Sequence, residues 1–164
     1  MTLAEAAAEA DGLAQQGSER ELAQLRSQWD DELEAAARSS DYRQRAVAYR
    51  AVGQFRFRQK LELLRRGLDD ESPACRGSAL LSLELLSRDH PGAVNADRPL
   101  LHTLATNPEE NPAVRRLAVM CLKNGSPQRD TIVILDALAG GEDDDRELRA
   151  AAKRVADLLR KKSR

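Results

Sequence analysis

The chain has 164 residues, 41% of them hydrophobic, and a formal net charge of −1, enough for one domain with its own core and not basic overall. Ala and Leu supply 50 of the 68 hydrophobic residues and Val with Ile only nine, which argues against an extended sheet and for helix throughout. No run approaches the roughly 20 apolar residues of a membrane span, and the start, with Glu5, Glu9 and Asp11 among alanines, is unlike a secretory leader, so a cytoplasmic location is expected.

In chain order, a first helix is predicted over about 2–15, ending at Gly17; its alanines bury little each, so loose packing is expected. Ser18 and Glu21 have the spacing of a capping box for a helix to about 38, with Leu22, Leu25, Trp29 and Leu33 on one face. Asp41 opens a helix over 41–54, and a further helix over 57–68 carries Leu61, Leu64 and Leu68. Ser72-Pro73 starts a helix over 72–87. The stretch Ser87 to Asp97, with Asp89-His90-Pro91-Gly92 and Asn95, reads as an inserted loop ahead of a helix over 98–106. Asn111-Pro112 opens 112–124. Ser126-Pro127 and Gly140-Gly141 bracket 127–139, so Ile132 to Leu135 is helix rather than strand, and 144–162 is the last helix.

A repeat runs through these elements. The pattern Arg-x-x-Ala-x-x-x-apolar occurs at Arg45, Ala48, Val52; at Arg76, Ala79, Leu83; at Arg115, Ala118, Leu122; and, with Ala156 as the last member, at Arg149, Ala152. Asp41, Ser72, Asn111 and Asp145 each stand four residues before the arginine as helix caps. The helix starts Ser72-Pro73-Ala74-Cys75-Arg76 and Asn111-Pro112-Ala113-Val114-Arg115 resemble HEAT repeats, over about residues 19–162. The fourth copy has Arg146 and the first Tyr42 where the proline belongs. The resemblance implies an all-α fold. The fold it implies is a right-handed α-solenoid of about four helical hairpins (18–54, 55–87, 98–124 and 126–162) behind an N-terminal cap helix (1–17), with one domain expected over 1–164. It also implies that Arg45, Arg76, Arg115 and Arg149 form a structural ladder toward acids in the turns, such as Asp70, Glu109 and Asp143.

Charge is blocked along the chain: residues 1–42 carry ten acids against three bases, and 43–66 eight bases against one acid. All five aromatic residues, Trp29, Tyr42, Tyr49, Phe55 and Phe57, overlap this basic block. A basic surface bearing aromatic and arginine groups suits an acidic protein segment. The expected partner contacts are Arg43, Tyr49, Arg50, Arg56, Phe57, Arg58 and Lys60; the alternative is that Trp29, Tyr49 and Phe55 fill an interior interface.

Acids at Asp30-Asp31-Glu32, Asp69-Asp70-Glu71, Glu109-Glu110 and Glu142 to Asp145 mark helix starts, where the helix dipole favours them, rather than a catalytic cleft. His90 and His102 are read as surface residues, Cys75 and Cys121 as buried free thiols, and neither metal nor cofactor is expected. The reading is therefore a non-catalytic protein-binding scaffold or adaptor. Its alternatives are a nucleic-acid-binding HEAT-like protein and a subunit or accessory factor of a lyase-type enzyme, since similar bacterial repeats also occur in proteins that attach bilin chromophores to phycobiliproteins.

Overall fold

The computed structural model describes all 164 residues and is all-helical. Its elements are α1 (Leu3–Gln16), α2 (Glu19–Ala37), α3 (Tyr42–Gln54), a 3₁₀ turn (Arg58–Lys60), α4 (Leu61–Leu68), α5 (Pro73–Ser87), α6 (Gly92–Thr106), α7 (Pro112–Leu122), α8 (Arg129–Gly140) and α9 (Arg146–Lys162). None is long and apolar enough to cross a membrane. Contacts group the chain into two compact units, Met1–Leu86 and Ser87–Arg164.

In the first unit α1, α2 and α3 pack against one another, and α4 lies on α3. The leading helix is not loose. Leu3, Ala6, Ala7 and Ala10 are buried, because small side chains spaced three and four apart let α1 approach two neighbours closely. Thr2 and Glu5 form a reciprocal capping box at its start. At its end Gly17 takes φ 74° and the Ser18 N–H bonds the Leu13 carbonyl at 2.9 Å. That closure sets the Ser18 backbone, whose ψ of 65° is not extended, and its hydroxyl makes no cap bond; the predicted capping box at Ser18 and Glu21 is absent. The core of the unit is Leu22, Leu33, Val52, Phe55, Leu64, Leu68, Leu80 and Leu83.

The close approach of α3 to α5 runs through Gly53 and Ser82. The Gly53 N–H donates to Ser82 Oγ at 2.9 Å, and that hydroxyl donates to the Tyr49 carbonyl at 2.5 Å. A Cβ on Gly53 would lie 2.7 Å from Ser82 Cα. The buried hydroxyl therefore has partners, which is what its desolvation requires.

In the second unit α6 packs on α7 and α8 on α9, while α7 meets α9 and α6 meets α8, so one hairpin is stacked on the other. The expected loop 87–97 is a correction: α6 begins at Gly92 and runs through Pro99. Turn-forming residues lose here to tertiary contacts. Ala93 and Val94 are buried, and Asn95 exchanges two bonds with Ser126, its amide donating to the hydroxyl and its oxygen accepting the backbone N–H, each at 2.9 Å. Arg98 adds a bond to the Ser126 carbonyl at 3.1 Å. His102 is not simply a surface residue either: its Nε2 lies 2.9 Å from the hydroxyl of the buried Thr131, linking α6 to α8, and burial holds its pKa below the ordinary value. His90 is exposed. Cys75 and Cys121 are buried free thiols.

Candidate interaction surface

The caps expected at Asp41, Asn111 and Asp145 are in place: Asp41 accepts from the Arg43 N–H, Asn111 from Ala113 and Asp145 from Leu148. They set the arginines one turn later. Arg45 grips Asp70 with Nε and Nη2 at 2.9 and 3.1 Å, and Arg115 reaches Asp143 at 2.8 Å. Both aspartates also accept a backbone N–H two residues on, from Ser72 at 2.9 Å and from Asp145 at 3.0 Å. Two separate places thus hold the same device, an arginine of one helix locked to an aspartate that folds the turn ahead of a later helix. Arg76 Nη1 bonds the Asp70 carbonyl at 2.7 Å, whereas Arg149 Nε is buried without a hydrogen-bond partner.

Burial pushes the Asp70 carboxyl upward, but the Arg45 bonds and the Ser72 N–H outweigh it and leave it below the ordinary range. Asp143 is lowered first by the Asp145 N–H and then by Arg115.

The expected contacts of the basic and aromatic block divide sharply. Tyr49 and Phe57 are 3% and 6% exposed, so they are interior residues and not surface contacts. Tyr49 lies under Gly67, and the Phe57 ring meets Phe55 at 5.7 Å between centroids. The reason is apolar area: an aromatic ring contributes more by leaving water than by standing beside a guanidinium.

Two of the cations are tied to acids from the acidic N-terminal block. Arg56 bonds Asp11 at 2.8 Å and the Gly53 and Gln54 carbonyls at 2.9 and 3.2 Å. Its φ of 56° is left-handed, a conformation costing about 1–2 kcal/mol outside glycine, and these bonds at the end of α3 offset it. Lys60 lies between Asp30 and Glu34 at 2.7 and 2.6 Å and 4.9 Å from the Phe57 ring centre. Burial lowers its pKa and the two carboxylates more than restore it. The opposite charge blocks of residues 1–42 and 43–66 therefore pair in part with each other, a complementarity signalled by the i, i+4 spacing of Asp30 and Glu34.

What remains on the surface is Arg58, exposed on the 3₁₀ turn, and a stripe of α3. Arg43, Val47 and Arg50 are spaced four and three apart on one face. Arg43 is exposed, 5.5 Å from the ring centre of Tyr42. Val47 is 37% and Tyr42 45% exposed. Arg50 Nη1 is buried without a hydrogen-bond partner, and neither guanidinium holds a carboxylate. Val47 and Arg43 also line an open groove of about 670 Å³ with Leu3, Ala35, Ala36 and Glu32. Val47 and this groove were not foreseen: one valine in a polar helix carries little signal until α1 and α2 are placed beside it.

These features define an all-helical protein of nine α-helices, with an exposed stripe of α3 bordering an open groove. No family model matches the chain, and neither a curated protein nor a solved structure is significantly similar to it.

Proposed function

We propose that the chain is a HEAT-type helical-repeat module, with the hairpins α2–α3, α4–α5, α6–α7 and α8–α9 following one another as a right-handed solenoid. In this reading it is a non-catalytic cytoplasmic scaffold that holds an acidic segment of a protein partner against α3. The repeated arginine–aspartate device and the stacking of α8–α9 on α6–α7 support the repeat. The stripe Arg43–Val47–Arg50 carries the binding reading: two guanidiniums without counter-carboxylates flank an exposed aliphatic residue at the edge of an apolar groove. An apolar anchor with acids three or four residues to either side fits that spacing.

A fluorescein-labelled amphipathic peptide of alternating glutamate and leucine turns is the probe, titrated by anisotropy at low and moderate salt. Saturable binding that weakens about tenfold or more in Arg43→Glu with Arg50→Gln, and not in Arg58→Glu, is the expected result. Binding indifferent to the α3 changes would overturn it. A labelled oligonucleotide bound more tightly than the peptide, with a steep salt dependence, would transfer the surface to nucleic acid.

A further inference from the structure

We infer that Glu32 decides which segment the α3 groove accepts: an amphipathic helix of a partner protein, acidic along the edge that meets α3 and basic along the edge that meets α2. The inference rests on the α3 reading above and refines it, because a segment acidic on both edges would satisfy Arg43 and be repelled by Glu32.

The groove of about 670 Å³ has walls from three helices: Leu3 and Ala4 of α1, Ala35 and Ala36 of α2, and Val47 of α3. Ala4, Ala35 and Val47 are exposed. These side chains are short or flush with the wall, so the hollow suits a large apolar side chain supplied from outside. Charge is divided between the walls. Glu32 stands on the α2 wall and Arg43 on the α3 wall, and no other charged residue lines the groove. Both are exposed. Arg43 lies 5.5 Å from the Tyr42 ring centre and holds no carboxylate, and Glu32 holds no cation. Asp30 and Glu34 of the same helix are instead both engaged by Lys60. The start of α1 adds no rival anion site, since Thr2 Oγ1 accepts the Glu5 N–H at 3.1 Å and the Glu5 carboxylate accepts the Thr2 N–H at 3.0 Å.

Helical walls select a helical occupant. The backbone groups along α1, α2 and α3 are bonded within their own helices and offer no edge to an extended strand. At 100° per residue, the positions three before and four after an apolar anchor lie along one edge of a helix, and those four before and three after lie along the other. Acids on the first pair and bases on the second present carboxylates to Arg43 and ammonium groups to Glu32 together, which also fixes the direction in which the helix lies.

The test uses the full chain and two fluorescein-labelled helical peptides with the same leucine anchor, one with glutamates and lysines on opposite edges as above, the other with glutamates on both. Anisotropy should show the two-edged peptide binding about threefold tighter, the scale of an exposed ion pair. Glu32→Lys should reverse the preference and Glu32→Gln erase it. Glu21→Lys, the same charge change on an exposed residue at the far end of α2, should leave it intact. Tighter binding of the acidic peptide, or a preference that survives Glu32→Lys or is lost equally in Glu21→Lys, would overturn the inference; if Arg43→Glu still weakened both peptides, the α3 reading would stand without it. Absence of saturable binding by either peptide would remove both. Sedimentation showing the chain alone dimerising, and Glu32→Lys monomeric, would make a second copy the occupant and refute the partner assigned here.

Discussion

The same substitution, glycine to alanine, should have opposite signs at two helical positions. At Gly12, inside α1, an added Cβ meets nothing within 4 Å; alanine then gains about 1 kcal/mol of helix propensity. At Gly53, in the last turn of α3, the Cβ would sit 2.7 Å from Ser82 Cα and Oγ and 2.9 Å from its Cβ. Backbone is among those atoms, so α3 and α5 must separate, an overpacking cost of about 1–3 kcal/mol. Separation also loosens the buried bonds of Ser82 to Gly53 and Tyr49, about 1–3 kcal/mol more. Against a propensity gain of about 1 kcal/mol, the net is a loss of about 1–5 kcal/mol. For a chain of this size each kcal/mol moves Tm by about 2–4 °C. Thermal unfolding followed by circular dichroism should show Gly12→Ala melting a few degrees above the parent and Gly53→Ala clearly below it. A Gly53→Ala protein as stable as the parent would mean that α3 and α5 do not meet at Ser82.

Asp70 and Asp143 have folded-state pKa values below the ordinary 3.8, so their contribution is complete above that value and is lost as pH falls through the folded values. Urea titrations should find Asp70→Asn less stable than the parent at neutral pH, with the gap closing in strong acid; a gap independent of pH would deny the Arg45 pairing. Phe55 is fully buried, and Phe55→Ala should cost about 3–5 kcal/mol, read as a lower urea midpoint; a loss under about 1 kcal/mol would place the ring at the surface instead.

The aromatic and basic block shows why sites were harder to read than helices. Residue type offered Tyr49, Phe57, Arg56 and Lys60 to a partner, whereas the rings meet the core and the cations meet Asp11, Asp30 and Glu34. Whether such a contact is internal or offered to a partner depends on elements dozens of residues away. At Ser87–Asp97 the local signals were turn signals, and the bonds from Asn95 and Arg98 to Ser126, about thirty residues on, overrode them. Ser18 lost its capping role to the closure of α1 one residue earlier.

The order of the nine helices and the extent of seven of them, with their caps at Asp41, Asn111 and Asp145, were already determined by the sequence, because propensity, periodicity and capping act within a few residues; the helix expected over 57–68 begins only at Leu61, behind the 3₁₀ turn Arg58–Lys60. The start of α6, the fate of each aromatic ring and the division of cations into paired and unpaired were decided only by tertiary structure. Burial and charge pairing depend on distance in space, and α1, α2 and α3 bring together residues that the chain holds far apart.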